Sequence, residues 1–181
     1  MAYPNQKPTW EGSLLEFQQE LDRAVEAPDI STDAFLAMRV GEGMWLIDLG
    51  YLSETSVPPP LSRTGRSPAW VLGIGSLRGQ VYTMVDMQRV LLDKPTVSVH
   101  HGWATPVHGR ISNALALIWP EMVGLVRKKQ LSPHPMDKEL GPWVRQCWKD
   151  EQQNVWQEFD MEAFVRSSFV NLETQVHVNH E

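Results

Sequence analysis

A single cysteine, Cys147, stands in 181 residues. It excludes an intrachain disulfide and fits a reducing compartment. No apolar run approaches the ~20 residues that a membrane-spanning helix needs. The first ten residues, MAYPNQKPTW, lack the basic and apolar regions of a secretory signal, so a cytosolic location is expected. A dense basic cluster is also missing from a chain of net charge −6, which argues against binding a phosphate backbone. The triplet Arg127-Lys128-Lys129 is too short to change that and reads as a solvated strand end or loop. There is no G-x-S-x-G. GIGSLRG, from Gly73 to Gly79, lacks the G-K-[ST] ending of a phosphate loop, and a strand rather than a helix follows it. His100, His101, His108 and His134 have no cysteine or carboxylate at matched ligand spacing, so no metal is expected. Cys147 beside Trp148 reads as a packed thiol rather than a nucleophile. An enzyme would need a polar pocket joining His108, His134 or Cys147. No cofactor is expected.

What is present is organised around residues 68–92, PAWVLGIGSLRGQVYTMVDMQRVLL. Val71, Leu72, Ile74 and Leu77 form an apolar run in which Gly73 and Gly75 read as structural breaks or turns. Arg78-Gly79 supplies a tight turn, since glycine accepts positive φ. Val81, Thr83 and Val85 then alternate with Tyr82 and Met84, the period of a half-buried strand. Asp86 is placed to N-cap a short helix over 88–92.

Upstream, Ser13 and Glu16 form a capping box, and Leu14, Phe17, Leu21 and Val25 share one helical face. Pro28 ends this helix. The segment either docks on its own domain or binds a partner's groove. Residues 34–40 and 44–49 flank Gly41-Glu42-Gly43 as a hairpin. Residues 51–57 are extended, and 58–68 form a proline-rich loop in which Arg63 and Arg66 face solvent. Residues 93–109 read as a polar, exposed excursion. Strands follow over 113–119 and 122–126, a proline-rich connection over 131–142, and an ambiguous run over 143–148. Charge is uneven: net −5 over residues 1–34, +4 over 35–130 and −5 over 131–181.

The chain then echoes itself at an offset of 74, with Val81, Asp86 and Met87 matched by Val155, Asp160 and Met161. Each copy is a strand that ends in aspartate before a short helix, so Asp160 is expected to cap as Asp86 does. Two β subdomains of about 70 residues, each closing its strands, make physical sense of the echo.

GIGSLRGQVYTMVDM resembles the signature of the CheW family of chemotaxis coupling proteins, roughly G-x-x-N-L-R-G and then an apolar strand ending in V-D-L. Gly73, Leu77, Arg78, Gly79, Val85 and Asp86 match; Ser76 replaces the asparagine and Met87 the final leucine. The Trp content, the acidic N-terminal extension and the ending WQEFDM look most like the PilI branch, which serves type IV pilus (twitching) systems. The resemblance implies a mainly β fold with two SH3-like five-stranded β-barrels side by side, short flanking helices and the N-terminal amphipathic helix. Residues 1–33 would be an extension and 34–175 the CheW-like domain, with the chain crossing between barrels near 93–112 and a tail over 176–181.

By that resemblance the chain is expected to be a non-enzymatic adaptor between the cytoplasmic tip of a methyl-accepting chemoreceptor and the regulatory domain of a CheA-type histidine kinase. It would act in the cytoplasm at receptor arrays, with no nucleic acid bound and no membrane insertion. Arg78 is singled out for a partner surface, flanked by Leu77 and Gly79, because arginine is an enriched anchor there; bridging between subdomains is its structural alternative. Trp70, with Val71 beside it, is the tryptophan best placed for a partly exposed contact. The competing class is a small-ligand or nucleic-acid-binding β-barrel.

Overall fold

A computed structural model describes residues 33–167 apart from 64, 66, 97 and 137–139. The expected N-terminal helix, Arg66 and the chain beyond 167 lie outside the described residues. Strand β1 (Ala34–Val40) and β2 (Gly43–Asp48) form the expected hairpin. Strands β3 (Val71–Leu77) and β4 (Gln80–Asp86) form a second, and helix α1 (Met87–Leu92) follows at once. Then come β5 (Trp103–Pro106), β6 (Leu115–Trp119), β7 (Glu121–Arg127), β8 (Ser132–His134), β9 (Val144–Lys149) and β10 (Val155–Phe159). A last helix, α2, covers 161–167.

The strands make two sheets, one ordered β7-β1-β2-β10-β9-β8 and the other β3-β4-β6-β5. In each, the repeated strand is central. β4 pairs antiparallel with β3 and parallel with β6; β10 pairs antiparallel with β9 and parallel with β2. The echo at offset 74 is therefore a repeat of topology as well as of letters. Residues 52–62 close the smaller sheet into a barrel. Ser53 and Ser56 donate to the Pro106 and Ala104 carbonyls of β5 at 3.0 and 2.9 Å, and Ser62 exchanges two 2.8 Å bonds with Ile74 of β3. Both edges of the sheet are thereby satisfied.

Alternation along the strands divides the apolar side chains among three clusters. Tyr82, Met84, Ala116 and Ile118 fill the smaller barrel. Phe35, Ala37, Leu46 and Trp156 lie inside the larger one. The opposite faces of the same strands, with Leu36, Met38, Ile47, Val85, Leu117 and Trp119, meet in the largest cluster, between the barrels. Trp119 and Phe159 stack edge to face there at 5.8 Å.

Three expectations need correction. Residues 93–109 are not wholly an exposed excursion: β5 lies in them, with Ala104, Thr105 and Val107 buried. A four-residue strand containing a proline is too short to show periodicity. The chain does not cross between the barrels near 93–112, a stretch whose strand β5 belongs to the smaller sheet. It crosses over 49–51 and again at Pro120, between β6 and β7. Gly73 and Gly75 are not turns but strand residues over which residues 59–62 pass. A Cβ on Gly73, whose φ is 137°, would strike the Ser62 carbonyl; one on Gly75 would come within 2.7 Å of Pro59.

Candidate partner-binding site

The β3–β4 connection is a two-residue turn with φ of 48° at Arg78 and 81° at Gly79. Both central residues thus sit in the left-handed region, the geometry whose twist matches that of the flanking strands. Glycine takes this φ freely, whereas Arg78 takes it at a steric cost. The arginine side chain is 74% exposed and pairs through Nε with Glu54, whose own side chain is 12% exposed. Glu54 belongs to the closing segment, so this pair ties the hairpin tip to the strap that closes the barrel. Burial, and then the charge of Glu54, push the Tyr82 hydroxyl above the usual tyrosine range.

Alternation sets what surrounds the tip. Tyr82 and Met84 point inward, which leaves Val81 60% exposed, and Ile74, diagonal to it on the same outer face, 38% exposed. Leu77, expected at the partner surface, instead points into the barrel and packs with Tyr82 and Met84. Gly79 is exposed at the tip. Trp70 and Val71 are half-buried at the far end of β3, roughly 20 Å along the strand from Arg78. Trp70 packs against the inter-barrel cluster, and its carbonyl accepts from the Asp86 N–H at 2.8 Å. The five residues expected to bind a partner therefore divide among a tip, a barrel interior and the barrel junction.

Asp86 and Asp160 both cap as expected. The Asp86 carboxylate is buried and accepts from the Arg89 N–H (3.1 Å), the Thr96 N–H (2.9 Å) and the Thr96 hydroxyl (2.6 Å). Asp160 accepts from the Ala163 N–H (3.0 Å) and Arg145 (3.1 Å). Burial pushes its carboxyl up, but the Ala163 N–H and the Arg145 and Arg166 charges outweigh this and hold it below the ordinary aspartate value.

Sequence reasoning missed Tyr51 and the groups around it. The Tyr51 hydroxyl donates to Glu162 at 3.0 Å and accepts from Arg145 at 3.0 Å. The Arg145 and Arg110 guanidinium carbons lie 5.6 and 5.8 Å from the centre of its ring. Arg110, from the loop between β5 and β6, also donates to the Gly50 carbonyl at 2.8 Å. Tyr51 thus joins a loop of the smaller barrel to β9 and α2 of the larger. Burial, offset in part by Arg145, leaves its hydroxyl above the ordinary tyrosine pKa. These residues are far apart in the chain, and no motif or spacing in the sequence joins them.

A cleft of about 320 Å³ opens where the barrels meet, between Val90, Leu91 and Leu92 of α1, Val40 and Trp45 of the β1–β2 hairpin, and Trp143. Its lining is predominantly apolar. Among the described residues no three His, Cys, Asp or Glu side chains converge to hold a metal. Cys147 is buried in the inter-barrel cluster.

The sequence profile of the CheW-like domain matches residues 34–169, across both barrels. The chain belongs to the CheW-like domain family. Among solved structures it is similar to the scaffolding protein TtCheW from Thermoanaerobacter tengcongensis, at 14% sequence identity and a TM-score of 0.61. That similarity covers 73% of this chain and 90% of the other. No match is found among curated proteins. The CheW-like signature falls on the β3–β4 hairpin. Its Leu77 fills the barrel, its Arg78-Gly79 makes the turn, and its Asp86 caps α1.

Proposed function

We propose that this CheW-like chain is a non-enzymatic adaptor joining the cytoplasmic tip of a chemoreceptor to the regulatory domain of a CheA-type histidine kinase. The observation that carries the proposal is the outer face of the β3–β4 hairpin. There Ile74 and Val81 lie exposed beside the Arg78 tip, on the stretch that bears the family's signature. Neighbouring exposed apolar side chains next to an arginine suit a protein contact. This face takes the kinase's regulatory domain, and the apolar cleft beside α1 takes a receptor helix, whose stripe of side chains fits such a groove. Receptor state then biases the kinase's conformational equilibrium through the bridge, and weak contacts gain strength when arrayed. The adaptor works in the cytoplasm at receptor arrays; among the described residues no helix is long and apolar enough to cross a membrane.

The pathway we propose is control of type IV pilus twitching. Its support is the acidic extension, the eight tryptophans and the ending WQEFDM, which resemble the PilI branch.

Calorimetric titration with the regulatory domain of the same organism's CheA-type kinase tests the reading, with and without a receptor cytoplasmic fragment. Arg78→Ala removes an ion pair whose arginine end is exposed while Glu54 is largely covered, at a cost to stability of about 1 kcal/mol, so the fold is kept. Binding is expected to weaken about tenfold, the loss of a modest hot spot. A folded wild-type sample that binds no such kinase overturns the proposal.

A further inference from the structure

The cluster inside the larger barrel is incompletely covered. Around buried Phe35, Ala37, Leu46 and Trp156, the side chains of Met44, Val123, Val126, Leu131 and Trp148 are only partly buried. One corner of this rim is basic. β7 ends at Arg127 and runs into Lys128 and Lys129, both exposed, with the Lys128 ammonium 5.6 Å from the centre of the Trp148 ring. The chain enters the barrel at the same corner: the Lys128 N–H donates to the Asp33 carbonyl at 2.8 Å, and Ala34 pairs with Arg127.

Residues 1–32 therefore lead to a basic corner beside an open apolar rim, and residues 1–34 carry a net charge of −5. In a helix over 13–27, Leu14, Phe17, Leu21 and Val25 form one stripe. Glu20 and Asp22 then lie roughly 100° to either side of it.

We infer that residues 13–27 dock as an acidic amphipathic helix on this rim. The stripe covers Val123, Val126, Leu131 and Trp148, and one flank of the helix, bearing Glu20 or Asp22, faces Lys128 and Lys129. Residues 28–32 span at most about 17 Å, which keeps the end of the helix near the Asp33 corner. The cleft beside Val40 lies at the other end of β1, roughly 20 Å away.

Cleavage after Arg23 by an arginine-specific protease tests this in the full chain, with rates normalised to a peptide spanning residues 10–32 of each variant. Phe17→Asp with Leu21→Asp is expected to speed cleavage at least about tenfold. Lys128→Glu with Lys129→Glu should do the same at low salt, and adding Glu20→Lys with Asp22→Lys should restore protection. Equal rates for wild type and the Phe17/Leu21 variant overturn the inference. Protection that survives the lysine reversal overturns this placement. Protection that rises with protein concentration assigns the segment to a second copy and overturns docking within the chain.

Discussion

At the end of β4 the Asp86 carboxylate is enclosed and, among the described residues, accepts from uncharged donors alone, one from Arg89 backbone and two from Thr96. At the end of β10, Asp160 does the same capping job while half-buried and paired with the Arg145 guanidinium. The two barrels thus solve one problem, the exposed N–H groups at a helix start, with opposite electrostatics. The first carboxylate holds a loop by hydrogen bonds alone. The second is one corner of a charged cluster that reaches Tyr51 and Glu162, and through the Tyr51 ring Arg110 of the other barrel. The repeat preserves the cap, and what surrounds the cap is free to differ.

Removing each cap measures that difference. Asp86→Ala leaves two N–H groups and a hydroxyl without their acceptor at a buried site, and should cost about 3 kcal/mol in urea unfolding. Asp160→Ala leaves groups that water reaches and should cost about 1 kcal/mol. Equal losses would show that burial of the cap makes no difference.

Acid titration is the next, smaller effect. Asp160 has a folded-state pKa below its unfolded value. Its contribution is present above the unfolded value of about 3.9 and is lost as pH falls from there through the folded value. Asp160→Asn should flatten that part of the stability curve. A curve unchanged by the substitution would show that the Arg145 pair adds nothing.

The smallest expected effect is at Tyr51, whose pKa is raised in the fold. Stability should therefore fall as pH rises above about 10, where the unfolded chain ionises first. Tyr51→Phe should reduce this alkaline loss, leaving the share of Tyr82, whose pKa is raised as well, and cost about 1 kcal/mol at neutral pH. A Phe variant with the same alkaline limb would place the titration elsewhere.

Local features were legible in the sequence because local chemistry fixes them. The Arg78-Gly79 turn, the 34–48 hairpin and both aspartate caps each depend on residues within a few positions. The closing segment was less so: residues 52–62 make only isolated bridges, and their pairing with β5 and β3 leaves no periodic pattern. The motif points to Leu77 as a surface residue because it flanks Arg78, yet strand alternation turns it inward. The Tyr51 cluster joins residues 94 and 111 positions apart, beyond the reach of any spacing argument.

The smaller barrel, including its strap, is built from the unbroken stretch 52–119, whereas the larger takes β1 and β2 from before it and β7 to β10 from after it. On a ribosome this sets an order of events. The inner barrel has all its strands once Trp119 has emerged. β2 must wait for its parallel neighbour, since Trp45 pairs with Gln157. For that interval the first hairpin carries an unpaired edge, so a strand made more than a hundred residues later determines whether β1 and β2 find their place.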